Sequence, residues 1–347
     1  SDRKNSFFRS LQKGENITQG RIVTTMKKSA LLFCAVLLLG VRAANAEDAK
    51  IKGYMFGDYY AVLAADDGET KLPEKRNAFQ FRRIYFTYDK KMADDFSVRY
   101  RLEAKNAGFG KGTKMEPFVK HGYLKWKGAL GSADLYLGLS GTPTWAISEK
   151  IWGYRSIAKT VLDWNKIGSS ADLGAAFKGK AGKIGYHFMV GNGPGQGPED
   201  DHGKKVYGSF SFTASERLLL EAYGDFNMKP AGQNELTLKG FAGLQGEGVN
   251  VGVEVFSRTN KEAATGSDIT ISGVSAFASL PLSDSLKGFG RVDALSNDAT
   301  DTTDLLFIAG VDHMPAKGVH LMPNLVVALP DGPDPNIQGR LTFYYKF

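Results

Sequence analysis

Cysteine is nearly missing from this chain, with Cys34 the single one among 347 residues. A lone thiol closes no internal disulfide, and there is no CxxCH pair to attach a haem. Long apolar runs are equally scarce. The only one, Ala30 to Gly40, is shorter than the roughly 18–20 apolar residues that a membrane-spanning helix needs. Histidines 121, 187, 313 and 320 are scattered without the HExxH spacing of a zinc site. No Gly-x-Ser-x-Gly elbow occurs, and no Ser/His pair falls on a shared face, which argues against a hydrolase. Glu221 and Asp225 share one strand face, but they read as wall charge rather than as a catalytic carboxylate pair. The run Gly191-Asn-Gly-Pro-Gly-Gln-Gly-Pro198 lacks the strand-to-helix setting and the GK[ST] ending of a phosphate cradle, so it reads as a loop. Glu199-Asp-Asp-His202 offers oxygen ligands for Ca²⁺ but no second cluster to complete the shell, so it reads as a solvated loop tip. The expectation is a protein with no metal and no cofactor.

Excess charge of one sign is also missing, once the amino end is set aside. The formal charge is +7, yet residues 1–46 carry eight Lys/Arg and two acids, which leaves 36 basic and 35 acidic residues in 47–347. That balance implies no nucleic-acid partner. The same amino end holds Met26-Lys-Lys28, the apolar run and Ala44-Asn-Ala46. A charged start, a short apolar core and an A-x-A site form a secretory signal peptide over 26–46, cut after Ala46. Cys34 lies in that core and is removed with it. Residues 1–25 carry no periodicity and read as upstream sequence or an extended leader. The domain is then 47–347.

Glycine (41 residues) and aromatics (12%) are plentiful, a mixture suited to strands in close contact. The closing stretch Gln338-Gly-Arg-Leu-Thr-Phe-Tyr-Tyr-Lys-Phe347 alternates Leu341, Phe343, Tyr345 and Phe347 with Arg340, Thr342, Tyr344 and Lys346. Its period of two gives one apolar and one polar face. Similar alternation predicts sixteen strands near 51–62, 79–90, 95–105, 117–128, 132–141, 171–179, 183–191, 204–213, 217–228, 234–245, 248–258, 268–280, 286–295, 304–314, 318–329 and 336–347. It is mixed in 51–62, 117–128 and 268–280. Connections after even strands are short (Gly128–Gly131, Gly179–Gly182), whereas those after odd strands are mostly longer and polar (63–78, 106–116, 192–203). An even strand count with short turns at one end and long loops at the other predicts a sixteen-stranded antiparallel transmembrane β-barrel. A soluble sandwich also alternates and is the competing fold.

These residues resemble Gram-negative outer-membrane porins, and more specifically the phosphate-selective porin O/P superfamily. The similarity lies in the signal peptide, Asn77-Ala-Phe-Gln-Phe-Arg-Arg-Ile-Tyr-Phe-Thr-Tyr88, Pro117-Phe-Val-Lys-His-Gly-Tyr-Leu-Lys-Trp126, Glu149-Lys-Ile-Trp-Gly-Tyr-Arg-Ser-Ile157 and the terminal Phe347. The resemblance implies a sixteen-stranded barrel, usually a homotrimer, set in outer-membrane lipid and lipopolysaccharide. It also implies that the β-barrel assembly machinery reads the strand ending in Phe347. Residues 142–170, the longest connection, resemble the third external loop that folds into a porin barrel and narrows it. Trp145, Trp152 and Trp164 are its expected anchors, and Glu149, Lys150, Arg155, Lys159 and Asp163 its expected charged border. An external flap or a subunit contact is the competing reading.

On the strands, Arg83, Arg99, Arg101, Arg258, Arg291 and Arg340 are expected to face the lumen, diluted by Glu103, Glu221, Asp225, Glu254 and Asp293. Strict alternation puts Arg82 and Arg83 on opposite faces, so at most one enters the pore. Arginine's planar fork of donors suits oxyanions, and the expectation is a passive channel for small ions and solutes with a weak anion preference. No dense lysine cluster appears, which argues against strict phosphate selectivity. The alternative function is a plugged barrel, or the sheath of a multi-protein electron conduit.

Overall fold

The computed structural model describes residues 49–65, 76–105, 114–261, 266, 268–332 and 334–347. The signal peptide expected at 26–46 and the segment before it lie outside the described residues. The first eight strands are β1 (Ala49–Ala64), β2 (Asn77–Lys91), β3 (Phe96–Lys105), β4 (Glu116–Leu130), β5 (Ala133–Gly141), β6 (Ala171–Ala181), β7 (Ile184–Gly191) and β8 (Lys205–Thr213). The second eight are β9 (Leu218–Asn227), β10 (Glu235–Gly246), β11 (Val249–Lys261), β12 (Asp268–Ser283), β13 (Leu286–Asn297), β14 (Thr302–Ala316), β15 (Val319–Leu329) and β16 (Asn336–Lys346). Each pairs with its sequence neighbour, and β1 pairs with β16 to close the ring. All sixteen predicted strands are present, and the sandwich is ruled out because a closed ring has no two separate sheets.

The faces are inverted relative to a soluble protein. Leu173, Val190, Phe210, Leu238, Val255, Phe307, Leu325 and Leu341 point outward and are exposed. Asp58, Thr87, Glu103, Glu221, Lys239, Glu254, Asp293 and Thr342 point inward and are buried. Turns at 131–132, 182–183, 247–248 and 317–318 join strands at one end, and the 142–170 connection leaves from the other.

The ring closes in a regular register, with Asp58 opposite Thr342 and Gly57 opposite Phe343. Beyond it the Gly53 N–H donates to the Phe347 carbonyl at 3.1 Å, and the Phe347 N–H returns the bond at 2.9 Å. Glycine meets phenylalanine at both steps. A Cβ on Gly57 would fall 2.2 Å from the Gln80 carbonyl oxygen and 2.6 Å from the Phe343 ring. The seam therefore admits only glycine at 57, whereas at Gly53 the clash is with the movable tip of Phe347.

One expectation about the faces fails. Along β2 the outward residues are Phe79, Phe81, Ile84 and Phe86, so the spacing steps from two to three between 81 and 84. One extra residue there resets the alternation, as a bulge does, and both Arg82 and Arg83 turn inward. A similar step in β4 explains its mixed pattern. Arg101 pairs with His121 but Leu102 with Val119, which leaves Lys120 as the extra residue, also directed inward.

Gly57→Ala is expected to weaken the folded barrel by about 1–3 kcal/mol through overpacking against fixed backbone. Gly240→Ala, whose Cβ would find only Val255 at 3.5 Å, is expected to change little. Urea unfolding in lipid vesicles measures both, and equal midpoints would contradict this account of the seam.

Candidate functional site

The connection from 142 to 170 builds the site. Thr142 and Thr144 share a hydrogen bond of 3.0 Å, and Thr144 meets the Tyr223 hydroxyl of β9 at 3.0 Å. Helix α1 (Ala146–Trp152) follows, burying Ser148, Ile151 and Trp152, and it stops where Gly153 takes the left-handed conformation that favours glycine (φ 73). Trp152 donates its indole N–H to the Ala158 carbonyl at 3.0 Å, which folds the chain back on itself. Its ring lies 5.2 Å from Phe277 of β12, and Tyr154 stacks on Phe289 of β13 at 4.4 Å. Those phenylalanines lie flat because each faces a glycine on the next strand, Gly252 and Gly310, where a Cβ would strike the ring. Helix α2 (Val161–Trp164) then packs Val161, Leu162 and Trp145 with Ile167 against Phe256 of β11.

Two arginines reach this segment from different arcs of the ring. Arg82 on β2 donates to the carbonyls of Ile157 (3.0 Å) and Ser156. Arg291 on β13 donates to the Lys159 carbonyl and to Asp293. A segment held at once by β2, β9 and β13 lies across the ring.

Its charges form one cluster. Arg155 meets Glu149 at 3.0 Å and Asp163 at 3.5 Å, and Lys159 meets Asp163 at 2.6 Å. Glu149 and Arg155 are within Coulombic reach of Tyr54 and Tyr85, and Glu149 of Lys120. On that facing wall Arg83 and Lys120 share Glu103, Arg99 chelates Asp89 through bonds of 2.6 and 2.9 Å, and Lys125 pairs with Asp134 at 2.7 Å. Arg101 donates to the Thr87 hydroxyl at 2.7 Å, and Lys178 to the Gly141 carbonyl at 3.1 Å. Neither forms a salt bridge with a carboxylate among the described residues. Cations therefore outnumber carboxylates on the wall from β2 to β6.

The opposite wall is different. Lys239 lies 2.9 Å from Glu221 and 3.7 Å from Glu254, and Lys205 lies 2.9 Å from Asp225, all of them buried. These acids face inward, as expected, and are ion-paired with Lys239 and Lys205 near the base of the segment. Two other expectations, for Trp164 and Lys150, also change. Trp164 is 36% exposed, unlike Trp145 and Trp152 at 4% and 1%. Lys150 is exposed and points toward the turn at Ser215–Arg217, away from the cluster. Arg291 faces inward, as expected, and is buried as a brace. Arg258 is tied to Glu235 and Asn260. Arg340 stays on the inner face with Gln338 as acceptor.

Sequence reasoning missed Arg82, Lys120 and the inward phenylalanines. The doubly apolar character of β12 and β13 was a signal for the last group. The glycine-rich run also has a role. Gly193 donates its N–H to Asp172 at 2.9 Å beside the Tyr207 hydroxyl at 2.8 Å, so the loop cradles the protein's own carboxylate. Glu199, Asp200 and Asp201 do cluster, with Lys204 2.9 Å from Glu199.

A cavity of about 400 Å³ opens on one side of the segment, lined by Tyr54, Glu149, Arg155, Lys287, Asp312, His320 and Lys346. Another of about 460 Å³ lies on the other side, lined by Lys166, Asn192, Asn227, Lys229, Glu235 and Arg258.

A closed sixteen-stranded antiparallel ring, apolar outside and charged inside, has the fold of the outer-membrane porins. Among solved structures the chain is similar to the anion-selective porin from Comamonas acidovorans, with a TM-score of 0.64 and 13% identity over 86% of this chain and 99% of that one. It is as close to the outer membrane channel DcaP of Acinetobacter baumannii, at 0.64 and 12% identity over 87% and 99%. The trimer form of OmpT from Vibrio cholerae matches at 0.59 and 11% identity over 86% and 99%. Family models and curated proteins give no match. At these identities the likeness is one of fold.

Trp152→Ala is expected to unseat the segment, because deleting a buried indole costs about 3–5 kcal/mol of packing. A cysteine placed at buried Ser156 reports it. Its maleimide labelling in the folded barrel should rise at least about tenfold when Trp152 is removed, a loss of roughly 1.4 kcal/mol or more.

Proposed function

We propose that residues 47–347 form a passive diffusion channel in the outer membrane of a Gram-negative bacterium, carrying small ions and hydrophilic solutes with a weak preference for anions. The segment crossing the charged interior supports this reading more than any other observation. The exposed apolar belt suits lipid, with lipopolysaccharide on the outer leaflet. The segment 142–170 is the constriction. Ions pass between its edge, Glu149, Arg155, Lys159 and Asp163, and the wall carrying Arg83, Arg99, Arg101 and Lys120. Fixed charge in a narrow passage makes entry of one sign less costly, and here the surplus is positive. No reaction is involved. Export uses the signal peptide at 26–46, and insertion uses the assembly machinery acting on the strand that ends in Phe347. A homotrimer is the proposed assembly, as OmpT has a trimer form.

The finer reading, a phosphate-selective channel, rests on the stretches 77–88 and 117–126. The cations of that wall are interleaved with Asp89, Glu103 and Asp134, which suits small anions in general better than strict phosphate selection. An electron-conduit sheath would need its interior for a guest protein, and the apolar packing of Trp152 and Tyr154 occupies that interior.

The test is conductance and reversal potential of the refolded barrel in a planar bilayer under a KCl gradient. Stepwise openings with a potential signed for chloride are expected, and openings grouped in threes support the trimer. Cation selectivity would remove the anion preference, and a folded barrel without openings would remove the channel. Arg101→Gln and Lys178→Gln should each lower the chloride-to-potassium permeability ratio by up to about ten-fold, because one unit charge at about 6 Å in water shifts the anion and the cation about three-fold each in opposite directions. Burial holds the Glu149 carboxyl above its ordinary value; Arg155 opposes the shift and Asp163 adds to it. Acidification from neutral pH therefore neutralises Glu149 before an ordinary carboxylate, and chloride preference should rise as pH falls. Glu149→Gln should abolish that part of the rise.

A further inference from the structure

The seam that closes the ring and the segment that crosses it meet at Arg82. On one side its Nε lies 2.7 Å from Asp58 Oδ2. Asp58 is fully buried on β1, and its other oxygen accepts the Thr342 hydroxyl of β16 at 2.6 Å. Thr342 Oγ1 in turn accepts Nδ2 of Asn324 on β15 at 3.0 Å, and Gln80 donates to Asp58 at 3.2 Å. On the other side the guanidinium gives its two terminal nitrogens to the carbonyls of Ser156 and Ile157. Those carbonyls belong to a buried stretch of the segment, with Ile157 at 0% and Ala158 at 2% exposure. The ring of Phe56 sits 5.3 Å from the guanidinium carbon.

The Nε side of the planar guanidinium is ion-paired with the carboxylate, although that N–H makes no hydrogen bond, and the two terminal nitrogens are turned to the other side, toward the segment. What fixes the carboxylate is Thr342, and Thr342 stands opposite Asp58 only when β1 and β16 are paired. We propose that Arg82 is the positioning residue of the crossing segment, and that its grip is completed by closure of the ring. The inference rests on the reading of 142–170 as the constriction for its effect on current, but not for the grip itself. Arg291, holding the Lys159 carbonyl from β13, braces the same stretch from the far side.

Hydrogen–deuterium exchange of the folded barrel tests the grip without requiring any current. Arg82→Gln should speed exchange of amides 154–160 at least about tenfold, as expected for loss of a charge-assisted hydrogen bond, while β10–β13 keep wild-type rates. Arg82→Lys should not restore protection, because one ammonium cannot face Asp58 and both carbonyls. Thr342→Val keeps the shape of the seam and removes only the hydroxyl that orients Asp58. It should act in the same direction, and it covers the case in which Arg82→Gln does not fold. Arg83→Gln, which leaves the clasp intact, should leave exchange of 154–160 unchanged. In bilayers, Arg82→Gln should give noisier open-channel current than wild type. Wild-type protection of 154–160 in both Arg82→Gln and Thr342→Val would overturn the proposal. A wild-type barrel that passes no current, while Arg82→Gln still loosens 154–160, would overturn the channel reading and leave the clasp standing.

Discussion

A strand ring is stable in an apolar medium only if no strand edge is left open, because each unpaired N–H or C=O away from water costs several kcal/mol. Everything else in this protein depends on the pairing of β1 with β16. That pairing satisfies the last two edges, locks the Phe347 backbone to Gly53, and brings Asp58 opposite Thr342. It also selects residue types. Where an aromatic ring crosses to the neighbouring strand, the position opposite must be glycine, at the seam (Gly57 under Phe343) and inside the barrel (Gly252 under Phe277). The high glycine and aromatic content is one feature rather than two: the rings supply burial and the glycines supply room for them.

The interior divides into two unequal halves. Under the crossing segment, charges are buried and paired, as in Lys205 with Asp225 and Arg291 with Asp293. Removing one partner of such a buried pair costs about 3–5 kcal/mol, so that wall is structural. Facing the segment, Arg83, Arg99, Arg101 and Lys120 exceed their carboxylates, and that wall keeps a positive surplus. The segment produces this division by laying its apolar side on Phe277 and Phe289 and turning Glu149, Arg155 and Asp163 the other way.

The sequence by itself determined the strand count, the short and long ends and which residues alternate, because a period of two and turn chemistry are local properties. Leu341, Thr342 and Phe343 could be placed on their faces without any neighbour. The importance of the 142–170 connection was also visible, in its length and tryptophans. Only the tertiary structure decided what those side chains do. Arg82 and Lys120 turn inward because one extra residue in a strand resets its alternation, and a bulge depends on the partner strand rather than on local pattern. Arg291 became a brace, and Glu221 a buried partner, because a segment more than fifty residues away in sequence covers them. Trp164 stayed exposed while Trp152 was buried, although both are tryptophans of one loop, because only Trp152 has Phe277 and Phe289 beneath it. Periodicity assigns a face; only the closed ring assigns the neighbour across it.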